Sequence, residues 1–172
     1  MTTSGPLPCF HTSHMGISVA DRQRSLEFYR DLLGLEVVLQ REKADDYTRR
    51  LIGYPGATLL MAVLRLPGTS AYLEIIEHRD VPREPVDTGT ANPGTCHLCL
   101  HVDDLDAVYA RLKEAGVASV SEVQLVTTGP LTGAKVVYMI DPDGIRVELL
   151  DSSPLDMTGA PLPSRPAGLA GS

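Results

Sequence analysis

This sequence predicts an α+β fold of two tandem βαβββ modules forming a cupped mixed sheet. Three observations carry that prediction. HMGISVAD at 14–21 and HLCLHVDD at 97–104 are near-copies, each opening on His, alternating in side-chain direction and closing on Asp. After each comes one stretch of helical periodicity and then three strand-like runs. Each copy ends on a run that sets one glutamate among apolar residues, YLEII at 72–76 and RVELL at 146–150.

The first strand of each copy shows its faces by parity, because alternate residues of a strand share a side. His14, Gly16 and Ser18 point one way, with Met15, Ile17 and Val19 opposite them. His97, Cys99 and His101 likewise oppose Cys96, Leu98 and Leu100. The helices follow at Asp21 and Asp104, good N-caps because a carboxylate accepts the orphan N–H groups of a first turn. Leu26, Tyr29 and Leu33 fall at helical spacing in the first, and Leu105, Val108 and Leu112 in the second. Gly34 and Gly116 are the expected stops.

Strands are then expected at 35–40, 57–66 and 71–78 in the first copy, and at 117–123, 134–140 and 145–151 in the second. Pro67-Gly68 and Asp141-Pro142-Asp143-Gly144 supply turn chemistry. Between the copies, 79–95 carries three prolines and two glycines and reads as a linker. The expected organisation is a flexible tail at 1–9, one domain at 10–151 and a disordered Pro/Gly-rich tail at 152–172. Within the domain, module one is 10–78 and module two 96–151.

Composition narrows the function. The 172 residues carry a formal net charge of −7, and Arg49-Arg50 is the nearest thing to a basic block, so neither nucleic acid nor an anionic membrane surface is an expected partner. No apolar run approaches the roughly 20 residues that span a bilayer. The first residues lack the basic and apolar regions of a secretory signal, which makes the cytoplasm the expected compartment. Three cysteines do not make a disulfide framework, and Cys96 and Cys99 lie on opposite faces of their strand, where they pack as small hydrophobes rather than chelate.

The histidines and glutamates are what the repeat leaves to explain. A carboxylate within an apolar strand needs a cation, a hydrogen-bonding partner or open solvent. Each copy opens with His and closes with Glu, which gives His14, Glu74, His97 and Glu148. If the two sheets face each other, these four converge on a metal site. Two imidazoles and two carboxylates suit one divalent ion (Ni, Co, Zn, Fe or Mn) and leave positions for substrate oxygens. His11, His78 and His101 have no such pairing, and Glu77 has no counterpart in the second copy.

Four stretches together resemble the vicinal oxygen chelate superfamily: HMGISVADRQRSLEFYRDLLGLEV, YLEIIE, GTCHLCLHVDDLDAVYARLKEAGV and YMIDPDGIRVELL. That superfamily includes glyoxalase I, methylmalonyl-CoA epimerase, extradiol dioxygenases and bleomycin- and fosfomycin-resistance proteins. The resemblance covers about 12–151 and implies the glyoxalase-like fold, with a divalent metal that chelates two adjacent substrate oxygens. Carried over, the metal ligands are His14, Glu74, His97 and Glu148, and the reaction is a glyoxalase I- or epimerase-type proton shift beside a chelated carbonyl. Glu148 or Glu74 is the general base, and Tyr138 lines the cup with Cys99. Tyr47, Arg49 and Tyr54 belong to a mobile 43–56 segment that sets specificity. A homodimer acting on a small molecule with vicinal oxygens is implied.

Two departures bear on the choice of reaction. After Glu74 the chain reads Ile75-Ile76-Glu77-His78 and it has no Trp, where glyoxalase I carries a glutathione-contacting stretch. The alternative of an Fe(II) extradiol dioxygenase uses His14, His97 and Glu148, with Tyr138 and the Asp-Pro-Asp-Gly turn at fitting distances. Its acid–base His is replaced by Thr127-Thr128-Gly129-Pro130-Leu131. A non-catalytic drug-binding member is the third reading, and the intact ligand set counts against it.

Overall fold

The computed structural model describes residues 11–151 and Ser153. The expectations for 1–9 and for the rest of 152–172 lie outside the described residues.

Two four-stranded mixed sheets form, with the strand orders β1-β4-β3-β2 and β5-β8-β7-β6. The first comprises β1 (His14–Val19), β2 (Val37–Lys43), β3 (Thr58–Arg65) and β4 (Tyr72–Arg79). The second comprises β5 (His97–His101), β6 (Gln124–Leu125), β7 (Lys135–Ile140) and β8 (Arg146–Asp151). In each sheet the first strand runs parallel to the last, and the two registers are equivalent. His14 lies beside Tyr72 and Gly16 beside Glu74; His97 lies beside Arg146 and Cys99 beside Glu148. The repeat read from sequence is therefore a repeat in space, and the α+β class of two tandem modules stands.

The alternation of each strand sorts its residues as expected. Ile17, Leu60, Ala62, Leu64, Leu73 and Ile75 of the first sheet are buried, as are Val137, Met139, Val147 and Leu149 of the second. Burying one such side chain is worth about 1.5–3 kcal/mol, and this holds each sheet's polar face outward against its own apolar face. His, Glu and Tyr are left on the opposite side by register alone.

The chain divides into two compact units that do not follow the module boundaries. Among the described residues, one takes those up to Arg22 and Gly34–Val81; the other takes Gln23–Leu33 and those from Pro82 onward. The segment that changes sides is the first helix, α1 (Arg22–Leu26), which widens into a π-helical turn over Glu27–Leu32. Its Leu33 N–H donates to Phe28 O, five residues back. Tyr29, 1% exposed, donates its hydroxyl to Asp141 Oδ2 at 3.0 Å, and Arg24 pairs with Asp143 at 2.6 Å. The DPDG turn of module two thus supplies the partners for a helix encoded in module one.

Three expectations need correction. Residues 117–123 do not form a strand: Ser119 makes a single bridge to Met139, and pairing becomes regular only at β6. Ser121 Oγ and Gln124 Nε2 both donate to Glu122 O, local bonds that compete with the ladder. The 43–56 segment holds a capped helix, α2 (Asp46–Ile52). Asp45 accepts from Thr48 N and Oγ1 at 2.8 Å each, and Gly53 closes the helix at φ 77°.

Glu77, finally, has a counterpart in Asp151. Each lies three residues beyond its module's candidate-ligand glutamate, Glu74 or Glu148, and takes the first N–H of that module's helix. Arg22 N donates to Glu77 at 2.8 Å, and Leu105 N, opening α3 (Leu105–Glu114), donates to Asp151 at 3.5 Å. The linker, too, is tied down. Gly144 sits at φ 88°, and a Cβ there would fall 2.7 Å from Thr88 Oγ1, so Thr88 packs against the DPDG turn.

Candidate functional site

In the first unit, β1 brings His14 and β4 brings Glu74 to one face. His14 Nε2 stands 3.6 Å from Glu74 Oε2, and Ser13 Oγ lies 3.2 Å from the other ring nitrogen, Nδ1. Such a contact at the second nitrogen fixes which one faces the carboxylate. Gly16, directly beside Glu74 in register, leaves the carboxylate uncrowded: a Cβ there would meet Glu74 Oε2 only at 4.0 Å.

The second unit repeats the pair and adds to it. His97 Nε2 is 3.0 Å from Glu148 Oε2. Tyr138, the register partner of Glu148 on β7, donates its hydroxyl to the same oxygen at 3.2 Å and packs edge-on against the His97 ring at 5.4 Å. Cys99 takes the place that Gly16 holds in the first unit. Burial pushes its thiol up to about 11, and the charge and hydrogen bond of Glu148 add to the shift. Burial, and then Glu148, likewise raise the Tyr138 phenol. Both groups therefore stay protonated at neutral pH, and the phenol serves Glu148 as a donor.

The described residues thus bring the four candidate ligands together as two His–Glu pairs, one in each unit. Among the described residues no group of three or more His, Cys, Asp or Glu side chains stands together as a metal site. The His97–Glu148 pair, at 3.0 Å, fits adjacent corners of an ion, since donors about 2.1 Å from a metal and at right angles to each other lie about 3 Å apart; the His14–Glu74 pair, at 3.6 Å, is wider than that. Glu74 and Glu148 have side chains only 17% and 18% exposed, whereas the imidazoles are 51% and 41% exposed. Carboxylates drawn back beneath accessible imidazoles suit a cation arriving from solvent.

The other sequence candidates fall elsewhere. His78, on the Glu74 face of β4, packs edge-on against Tyr54 at 5.9 Å. Arg49 donates to Ala57 O at 3.2 Å and pairs with Asp46, so it pins α2 down. Tyr47 is 64% exposed. Sequence reading missed Arg146. It lies two residues before Glu148 on the same face, and parity alone marks it.

Residues 11–149 match the family model described as the Glyoxalase/Bleomycin resistance protein/Dioxygenase superfamily. A 2-epi-5-epi-valiolone epimerase from Actinomyces sp. is 31% identical over 161 residues, covering 88% of this chain and 84% of that protein. The lactoylglutathione lyase of Haemophilus influenzae is 26% identical over 142 residues, 81% of this chain and 90% of its own. Among solved structures, a glyoxalase family protein from Bacillus cereus shares the fold at TM-score 0.73 and 17% identity, covering 88% of this chain and 98% of its own.

Proposed function

From the premise that this chain belongs to the Glyoxalase/Bleomycin resistance protein/Dioxygenase superfamily, we propose that it is a divalent-metal-dependent enzyme that shifts a proton beside a chelated carbonyl, as an epimerase does. His14, Glu74, His97 and Glu148 are the ligand set in this reading. An ion such as Ni, Co, Zn, Fe or Mn held by them supplies Lewis-acid polarisation of the substrate carbonyl.

The observation that carries the reading is the inequality of two otherwise equivalent carboxylates. Glu148 takes a donor from Tyr138 and lies 3.0 Å from His97, so it is held in place. Glu74 faces His14 at the longer 3.6 Å, with Gly16 and Val63 as its register neighbours, neither of which brings a side-chain donor. A general base has to move between accepting and returning a proton, and Glu74 is the carboxylate with the latitude to do so. Inverting a stereocentre needs a second proton donor, a task for the phenol of Tyr138, whose hydroxyl is held by Glu148.

The likeness to an epimerase at 31% identity supports a proton shift, and the missing Trp and glutathione-contacting stretch favour a substrate free of glutathione. That substrate is a small molecule with vicinal oxygens, one of them a carbonyl. A homodimer working in the cytoplasm completes the proposal. No helix among the described residues is long and apolar enough to cross a membrane.

The test is solvent exchange. Incubated in D₂O with the ion and the compound named for the epimerase relative, the wild type washes deuterium into the carbon next to the carbonyl. Glu74→Gln slows that exchange by roughly 10²–10⁴-fold, the span of a general base. Exchange that survives in Glu74→Gln and disappears in Glu148→Gln would reverse the assignment.

A further inference from the structure

Resting on that proposed site, we infer that Arg146 is a substrate-binding residue that takes an anionic group, a carboxylate or phosphate, beside the chelated oxygens. Arg146 lies on β8 two residues before Glu148, on the same face, and is the register partner of His97. On its other side Arg146 is paired in register with Ile140, two residues beyond Tyr138 on β7.

What marks Arg146 is its Nε, which is shut off from solvent and donates to no acceptor. Among the described residues Arg22 Nε shares that state, but Arg22 spends Nη1 on Met61 O at 3.4 Å, whereas no described carboxylate forms an ion pair with Arg146. Arg24, Arg30, Arg65 and Arg79 each have a carboxylate within 2.8 Å. The contrast with module one is direct. The equivalent register position there is Tyr72, and the arginine over its ring at 5.6 Å, Arg65, is neutralised by Glu36.

A buried charged donor without an acceptor is costly, and native structures leave few of them. The planar guanidinium fork matches a carboxylate or phosphate through paired N–H donors. In a chain of net charge −7, an anionic substrate needs a local cation, and Arg146 provides it on the face that holds His97 and Glu148. The preferred substrates are accordingly the vicinal-oxygen compounds that carry an anion next to the two oxygens, with neutral ones bound more weakly.

Hydroxypyruvate and dihydroxyacetone test this, because both are α-hydroxyketones and only the first has a carboxylate. In calorimetric titration of the cobalt-loaded protein, hydroxypyruvate binds roughly tenfold or more tighter than dihydroxyacetone, the worth of one charged hydrogen bond. Arg146→Gln brings the two within about twofold without weakening dihydroxyacetone, whereas Arg146→Lys keeps part of the preference because the charge survives without the fork. Should the Gln variant fail to fold, the wild-type preference and the Lys variant decide.

Equal binding of the two compounds by the wild type would overturn the inference, and so would a preference that survives in Arg146→Gln. The same titrations without metal separate this inference from the proposal beneath it. An Arg146-dependent preference in metal-free protein upholds the anion site whatever becomes of the ligand set. Cobalt bound with no carboxylate preference sinks Arg146 alone.

Discussion

Glu74 and Glu148 show how much a single neighbour decides. They occupy the same register position in their modules, yet Gly16 flanks one and Cys99 the other, and Val63 faces one where Tyr138 faces the other. Removing the phenolic oxygen tests the restraint directly. Tyr138→Phe loses one hydrogen bond to Glu148, so stability falls by about 0.5–1.5 kcal/mol in denaturant unfolding. Deuterium exchange, the Glu74 step, changes little, while net inversion slows by roughly tenfold or more. Equal losses in exchange and inversion would place Tyr138 in the first step instead. The complementary change is Gly16→Ala. Its Cβ has ordinary room, 3.8 Å from Ile76 Cδ1 and 4.0 Å from Glu74 Oε2, so the fold accepts it, with stability unchanged or raised by up to about 1 kcal/mol. A loss of several kcal/mol in thermal unfolding would contradict the open space described beside Glu74.

At the scale of elements, the device the modules share is the carboxylate that ends the last strand and holds the start of the helix. Glu77 is 4% exposed, takes Arg22 N at 2.8 Å and pairs with Arg79 at 2.6 Å. Burial alone would raise its carboxyl, but the Arg79 and Arg22 donors outweigh it and hold the group below the usual glutamate range. A depressed folded value means that the stabilisation is present above the unfolded pKa of about 4.3 and is lost as pH falls through the folded one. Glu77→Gln is accordingly less stable than wild type at pH 7 by about 1–2 kcal/mol, and the gap closes as pH falls from about 4.3 through the lower folded value. A gap that stayed constant across that range would mean that geometry rather than charge holds the helix start.

The same scale shows what a reader of the sequence can and cannot see. β1, β3, β4, β7 and β8 were legible because one face of each buries apolar residues at a period of two. Glu77 and Asp151 were missed although the repeat, carried three residues past Glu74 and Glu148, aligns them. Residues 117–123 have the composition of a strand, but Ser121 and Gln124 spend their hydrogen bonds locally. Arg146 hid in plain alternation, since its lack of an acceptor exists only once the chain is folded.

At the scale of the whole molecule, sequence could not show that residues 23–33 join the second unit, because the bond that marks it runs from Tyr29 to Asp141 across 112 positions. The four candidate ligands are divided in the same way, His14 and Glu74 in one unit and His97 and Glu148 in the other. This division makes the ligand set testable through stability. An ion that binds only the folded protein stabilises it by about 2.7 kcal/mol at a hundred times its dissociation constant. If the four residues act as one set, His14→Ala and His97→Ala each abolish the rise in melting temperature produced by Ni²⁺ or Co²⁺, and the double variant loses no more than either single. If each His–Glu pair binds independently, each single variant keeps the share of the other unit and the losses add. Such additivity is normal for sites that share no partner, and its failure is the signature of shared coordination. Melting curves of the four proteins, each with the ion and then with excess chelator, thus distinguish one site drawn from both modules from two sites that merely repeat.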